Sequence, residues 1–320
     1  MTYSTGGLIQ ATDYNGFVGT SNPNTTANQL NTVYGIGNGN AGYGQTILPT
    51  VTTGTTVSYT NWQNLINVSK TIGSHQSTAI TALNPPAQGD TIQALAAIST
   101  NLTSLYTNRL NAVAQGTTYN NVVTTATTWT SAITFTHTVT FPSADQARYF
   151  FNAGGQLSLN FSHPTGAGMN ALWNTLATAC GTITLSALSS GSATIAGVSY
   201  TGVNKVGGSG TPTTLLNSNG YYALSTSYVQ IFKQIATTGP AGYTGSFITV
   251  DVLSNGTVGT NGDKGSVITF RVIFDEVPNG GTTIVTAAGT TSTVTVKPPS
   301  ASYITNTWGT ATLAGSVTGS

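Results

Sequence analysis

Three glycines in the segment YGIGNGNAGYGQ, residues 34 to 45, have the spacing of a dinucleotide-binding turn. Gly37, Gly39 and Gly42 spell G-x-G-x-x-G. In that turn the glycines let the backbone approach a pyrophosphate, directly after a buried strand, and an acid further on binds the ribose. Here the preceding residues are polar, and residues 14 to 89 contain no Asp or Glu. The sequence therefore favours an ordered glycine-rich loop, with no cofactor, over a nucleotide site.

Groups that could act as catalysts or metal ligands are few and scattered. His75 lies in the loop GSHQS, His137 lies within an alternating apolar segment, and His163 precedes a proline. None belongs to a motif with metal-ligand spacing, and no G-x-S-x-G elbow marks a serine nucleophile. We expect structural or solvated roles for these histidines, a core position for the single Cys180, and neither catalytic nor metal-binding residues.

The acidic residues give no better candidate for a hydrolytic or calcium site. Asp275 and Glu276 are adjacent, but consecutive strand residues point to opposite faces, so they cannot act together as a glycosidase pair. The loop TNGDKG offers Asn261 and Asp263 as oxygen ligands but lacks the further acids of a calcium loop. A hairpin turn is the favoured interpretation of that loop, and no enzymatic activity is expected.

Composition excludes several classes of partner. Only 5% of the 320 residues are charged, against about 25% in typical proteins, and the formal net charge is +1. Because the eight basic residues are scattered singly, no patch is available for nucleic acid or for an anionic membrane. A coat of Thr, Ser, Asn and Gly suits neutral hydrogen bonds and close contacts between subunits. The N-terminus has neither region of a signal peptide, so we expect release by lysis instead of secretion.

The pattern of apolar and turn-forming residues changes at about residue 116. Residues 1–116 read as a helical and loop attachment region, with short helices at 14–18 and 26–34. A longer helix is expected from a capping box at Thr60 and Gln63 to Gly73, and another from Asp90 to about Gly116. Residues 117–320 alternate in short strands with glycine turns, interrupted by helices at 143–152 and 169–178. The fold class is therefore α+β: a helical region followed by a mainly antiparallel β-sandwich-like domain, with 276–320 as a candidate distinct tail.

The two longer helices supply the candidate assembly residues. In the second helix Leu95, Ile98, Leu102 and Leu105 are spaced as two layers of a coiled coil, the spacing with which identical helices meet around a symmetry axis. In the first, Trp62 should lie on the apolar face. The alternative for both is an amphipathic helix that packs on its own domain. The aromatic residues, including Trp129 and Trp308, can anchor interfaces or stack on sugar rings, and sequence position does not separate these roles from core packing.

Several stretches resemble virion structural proteins of tailed bacteriophages, especially those of marine and cyanobacterial hosts. They are GLIQATDYN at 7–15, YGIGNGNAGYGQ at 34–45, NWQNLIN at 61–67, SHQ at 74–76, ARYFFNAGGQL at 147–157 and ITFRVIFDE at 268–276. The resemblance covers both halves of the chain but not the residues after Glu276. It implies a tail, baseplate or fibre component in which the glycine segment belongs to an attachment region, and it supplies no catalytic residues.

Taken together, the sequence predicts a homo-oligomeric structural component of a phage tail, baseplate, neck or fibre, with other virion proteins as partners. The alternatives are a fibre module that binds a receptor or a host surface glycan, and a capsid decoration protein. Glycan binding predicts exposed aromatic residues in one groove, whereas a structural role predicts that they are buried.

Overall fold

A computed structural model describes residues 10–90, 95–278 and 282–319 of the chain. The helices are α1 (Ala11–Val18), α2 (Leu30–Tyr34), α3 (Tyr59–Gln76), α4 (Leu95–Thr107), α5 (Ala144–Asn152) and α6 (Met169–Cys180), with a 3-10 turn at Tyr221–Ala223. The strands are β1 (Tyr119–Thr124), β2 (Ala132–Thr140), β3 (Gln156–Ser162), β4 (Thr182–Leu185), β5 (Ala193–Ile195), β6 (Val198–Tyr200), β7 (Val203–Val206), β8 (Thr214–Leu215), β9 (Val229–Ile235), β10 (Phe247–Asn255), β11 (Val267–Asp275), β12 (Thr291–Lys297) and β13 (Thr312–Gly319).

Two antiparallel sheets form the body of the protein. One has the order β1-β12-β3-β4-β7 and the other β13-β2-β11-β10-β9-β8, while β5 and β6 form a separate hairpin. The sheets lie face to face, since His137 of β2 contacts Ser292 of β12 and Phe161 of β3 contacts Phe274 of β11. The predicted α+β class with a sandwich-like domain and short helices is therefore confirmed.

The core between the sheets follows from strict alternation along the strands. In β2 the even-numbered positions are half-buried, and Ile133, Phe135 and Val139 face inward with less than 3% exposure. Helix α6 covers one end of the sandwich with Trp173, whose ring lies 5.6 Å from that of Phe274. Burial of such large apolar side chains is the main favourable contribution to folding.

The N-terminal helices share this core. Trp62 of α3 packs edge-on against Tyr14 of α1, with ring centroids 5.6 Å apart. Buried side chains before and after residue 116 belong to one hydrophobic cluster. Residues 276–320 are built into both sheets, because β12 lies inside the five-stranded sheet and β13 ends the six-stranded one. The division at residue 116 stays a prediction.

Helix α3 begins and ends differently from its prediction. Its capping box uses Ser58 and Asn61 instead of Thr60 and Gln63, because the Ser58 side chain accepts from the Asn61 N–H. The helix continues past Gly73 to Gln76, and Ser77 in the left-handed region donates its N–H to the Gly73 carbonyl. Gly73 itself has a helical conformation, so glycine did not end the helix here.

Helix α4 is shorter than predicted. The helix was expected from Asp90, but residues 91–94 lie outside the described residues, and Asp90 accepts the N–H of Ala87 in a turn. The helix ends at Thr107 instead of reaching Gly116. Arg109 explains this end, because its guanidinium donates to the Tyr106 carbonyl and its own carbonyl accepts from the Tyr43 hydroxyl.

Within residues 10–90, 95–278 and 282–319, no helix combines the length and the apolar character needed to cross a bilayer.

Candidate functional site

The glycine segment forms a closed loop. Its ends are joined by backbone hydrogen bonds from Tyr43 N to Val33 O at 3.0 Å and from Gly44 N to Gly35 O at 2.8 Å. Gly42 has a φ of +97°, and a Cβ there would lie 2.0 Å from the Ile36 carbonyl oxygen. Only glycine fits this backbone, so the predicted ordered loop is confirmed.

The interior of this glycine loop is filled by Arg148 from α5. The Arg148 side chain is fully buried and donates to the carbonyls of Ile36 and Ala41, each at 2.7 Å. It also forms an ion pair with Asp145, at 3.0 Å between Nη2 and Oδ1. The loop therefore turns carbonyl oxygens inward toward a cation, which is the opposite polarity to the N–H groups that hold a phosphate.

Two further side chains complete the contacts of the loop. Asn152 donates its amide to the carbonyls of Gly39 and Gly42, both at 3.1 Å. The Tyr222 hydroxyl lies 2.6 Å from the Gly39 oxygen, and burial raises the pKa of this phenol well above its usual value. We call Arg148, Asn152 and Tyr222 the clamp. Two of its residues, Arg148 and Asn152, join the segments 34–45 and 147–157.

The clamp is continuous with the turn between β10 and β11. The Asn261 carbonyl accepts from Gly39 N at 2.8 Å, and the Asn261 side chain donates to Asp145 at 3.0 Å. Asp263 accepts two N–H groups of its own turn, from Gly259 and Gly265. The predicted hairpin turn at 260–265 is thus confirmed, and its polar side chains hold backbone.

The three histidines have the structural roles that were expected, because each is buried and hydrogen-bonded to neighbouring groups of the fold. His75 contacts the Ala153 carbonyl at 3.2 Å, and burial lowers its pKa to about 4. His137 contacts the Ser292 hydroxyl at 2.8 Å, with a pKa also lowered to about 4 by burial. Burial likewise lowers the pKa of His163, which lies between Thr290 and Asn170. All of them are therefore neutral near neutral pH.

The remaining nucleophilic and acidic candidates are also held inside the fold. Burial raises the pKa of the Cys180 thiol to about 12, which keeps the reactive thiolate scarce. Glu276 is buried and its Oε1 accepts the N–H of Ile284 at 2.8 Å. Burial raises the pKa of both Asp275 and Glu276. Across the described ranges, no group of three His, Cys, Asp or Glu side chains could hold a metal ion.

The predicted assembly residues lie inside the core of their own chain. Trp62, Ile98, Leu102 and Leu105 are between 1% and 3% exposed, and Leu95 is half-buried against the same cluster. This burial supports the alternative of amphipathic helices that pack on their own domain and leaves little of these side chains for a symmetry axis. Trp129 and Trp308, each 3% exposed, are core residues as well.

Sequence reasoning missed the strand that offers the clearest contact surface. Strand β13 pairs on one side with β2 and, among the described residues, ends its sheet on the other. Its sequence TLAGSVTG has no charged residue and no proline, and all but Leu313 and Val317 are exposed. Natural edge strands are usually protected by lysine, proline or short length. None of these devices is present on β13.

Strand β1, the end of the other sheet, lies beside β13. A Cβ on Gly315 would be 2.4 Å from Val123 Cγ2, so the absence of a side chain allows this close approach. β1 is also uncharged, and its Val122 is 54% exposed. We call β1 and β13 together the open edge. At the opposite ends of the sheets, β7 carries Lys205 and β8 has only 2 residues.

Comparison of the chain with protein-family models, with curated proteins and with solved structures gives no match.

Proposed function

We propose that the protein is a structural subunit of a tailed-phage virion that assembles with copies of itself and with other virion proteins through the open edge. Its place is in a tail, baseplate, neck or fibre. The proposed role is not enzymatic, in keeping with the burial of His75, His137, Cys180 and Glu276.

The observation that carries the proposal is the uncharged, unprotected β13. A sheet edge of 8 residues presents a row of backbone N–H and C=O groups, which can pair with a strand of another chain. Such pairing depends little on ionic strength, because charges contribute nothing to it. The low charge of the whole chain, at 5%, favours the same neutral, close-packed contacts.

The position of the residues that resemble phage virion proteins gives additional support. Two of the quoted stretches, 34–45 and 147–157, meet at the clamp. The clamp fixes the glycine loop on the sandwich, and the N-terminal helices share its core, so the subunit can act as one block in an assembly. The resemblance and the packing thus favour a building role over a catalytic one.

The test is the mass of the purified protein in solution, measured by light scattering over a range of concentrations. We expect a defined oligomer for the wild type. The double variant Ala314→Lys, Ser316→Lys places like charges on exposed positions of β13 and should dissociate it to monomer. The matched control, Ala96→Lys with Thr103→Lys, adds the same charge to exposed positions of α4 and should keep the oligomer.

A second measurement separates loss of assembly from loss of folding. Positions 314 and 316 are exposed. The free energy of unfolding of the β13 variant should therefore lie within about 0.5 kcal/mol of the wild-type value when both proteins are measured as monomers. A wild type that remains monomeric at all concentrations, or an oligomer that survives the β13 lysines, contradicts assembly through the open edge.

A further inference from the structure

Strand β13 is nearly symmetric in sequence about Gly315. Residues 312 to 318 read TLAGSVT, with a threonine at each end, an apolar residue next to each threonine and a small residue on each side of the central glycine. Reversal of the strand therefore gives almost the same order of side chains. Such a strand is suited to antiparallel pairing with its own copy, because each side chain then lies opposite one of its own kind.

The two faces of β13 keep this symmetry. Leu313 and Val317 pack against the core from the inner face, and the even-numbered positions from 312 to 318 are exposed on the outer face. In the antiparallel register that places Gly315 opposite Gly315 of a second copy, Leu313 lies opposite Val317 and Thr312 lies opposite Thr318. Apolar pairs and Thr–Thr pairs are both favourable cross-strand neighbours. The inner face thus stays apolar across the junction and the outer face stays polar.

The absence of charge at the open edge also fits a second copy. A two-fold interface brings each group near the same group of the other copy, so an unbalanced charge beside the axis is repulsive. Strands β1 and β13 contain no Asp, Glu, Lys or Arg, and neither does β2, which flanks β13. His137 of β2 is neutral near neutral pH, because burial lowers its pKa to about 4. Two copies can therefore meet here without repulsion, whereas a partner recognised by its charge finds no ion-pair group.

The two-fold axis of this pairing passes beside Gly315, where the two sheets approach each other closely. Val123 of β1 lies next to this glycine, since a Cβ on Gly315 would be 2.4 Å from Val123 Cγ2. Val123 is half-buried against the core, so the Val123 side chain of a second copy, across the axis, would cover part of the surface that is still exposed. An antiparallel ladder from position 312 to 318 forms about six to eight hydrogen bonds, which lies within the about 10 ± 5 of a typical protein interface.

We propose that the open edge is a two-fold dimer interface, in which β13 pairs antiparallel with β13 of a second copy and Gly315 lies opposite Gly315. This inference rests on the proposed assembly through the open edge and names the partner strand and its register. The six-stranded sheets of the two copies then form one continuous sheet. Both outer ends of that sheet are copies of β8, which has only 2 residues, so the sheet does not grow further.

Cysteine cross-linking of the full-length protein tests this register directly. Opposite residues of antiparallel strands have Cα atoms about 4.5–5.5 Å apart, which is within the range of a disulfide. The two copies of position 312, or of position 318, would instead lie about 20 Å apart. The double variant Thr312→Cys, Thr318→Cys should therefore form a disulfide-linked dimer in oxidised glutathione, whereas neither single variant should. Gel electrophoresis without reductant measures the linked dimer as a band at twice the mass of the chain.

Three further proteins serve as controls for the cross-link. The wild type should give no linked dimer, because its Cys180 is buried and burial raises the thiol pKa to about 12. The matched variant Thr312→Cys, Ser316→Cys places its cysteines two residues out of register, about 7–8 Å apart, and should link at least tenfold more slowly. The variant Ala314→Cys, Ser316→Cys tests the same register beside the axis, so the test does not depend on the folding of one variant.

Three outcomes overturn the proposal. They are no linked dimer in either in-register double variant, a linked dimer in a single variant, and equal rates for the in-register and out-of-register variants. If the β13 lysines dissociate the wild-type oligomer but the in-register variants stay unlinked, assembly through the open edge is supported and only the partner strand is wrong. A wild type that is monomeric at all concentrations contradicts both proposals.

Discussion

The glycine loop and the open edge both consist largely of backbone polar groups, but the chain treats these groups in opposite ways. In the loop, carbonyls of Ile36, Gly39 and Ala41 are met by the clamp. On β13, the outer side of the strand pairs with no described strand. The comparison separates two uses of a charge-poor chain: internal hydrogen bonds that fix one fold, and external ones that are available to a partner.

The largest expected effect concerns the clamp. Arg148→Met removes the cation that holds the loop carbonyls and leaves them buried without donors, so the free energy of unfolding should fall by about 3–5 kcal/mol. Denaturant titration measures this change. The control Lys70→Met, at an exposed position of α3, should stay within about 0.5 kcal/mol of the wild type. If both variants lost a similar free energy of unfolding, Arg148 would stabilise the fold no more than an exposed lysine does, and the clamp would have no special role.

A second pair of variants probes the glycine loop itself. In Gly42→Ala the new methyl group would meet the Ile36 oxygen, and the variant should lose about 3 kcal/mol of stability. In Gly39→Ala the φ of +53° is also unfavourable, but nothing lies within 4 Å of the added atom. That variant should lose only about 1 kcal/mol. Equal losses in thermal or chemical unfolding would mean that backbone conformation alone, and not the close approach, requires glycine.

A smaller effect is expected in the core beneath the open edge. His137 lies under β13, because a Cβ on Gly315 would be 3.3 Å from its Nδ1. Its pKa of about 4 in the folded protein is below the ordinary 6.5, so the unfolded chain takes up protons first as pH falls. The contribution of neutral His137 to the free energy of unfolding is therefore fully present above about pH 6.5 and is lost as the pH falls toward 4.

The variant His137→Leu should remove the part of this decline that His137 contributes, while His75 and His163 keep theirs. Unfolding free energies at about pH 7 and pH 5 should differ by about 2 kcal/mol less in the variant than in the wild type. An unchanged difference would show that His137 is hydrated, and that the open edge admits water to the space between the sheets.

Sequence patterns were sufficient where side chains alone decide the structure. The alternation of Ile133, Phe135 and Val139 predicts β2, and the Ser143 cap predicts α5. The caps of α3 and the end of α4 were less predictable, because Ser58 and Thr60 are equivalent as caps and Arg109 acts through contacts with Tyr106 and Tyr43. Local pattern does not contain such long-range contacts.

The clamp and the open edge lay beyond the reach of local pattern for the same reason. Arg148 contacts Ile36, 112 residues earlier, and the only sequence signal was an Arg on the same helix face as Asp145 and Asn152 in a charge-poor chain. Strand β13 contains only Leu313 and Val317 as a weak alternation, and its conformation follows from pairing with β2.

The contacts of Gln45 determine when the fold can be completed during synthesis. Its side chain accepts from Thr305 N at 3.0 Å and donates to the Thr305 carbonyl at 2.9 Å, over a separation of 260 residues. At elongation rates of about 5–20 residues per second, Thr305 is synthesised roughly 10–50 seconds after Gln45. A nascent chain cannot form the Gln45–Thr305 hydrogen bonds until the segment around Thr305 has left the ribosome. By then strands β1 to β12 of the sandwich have already emerged.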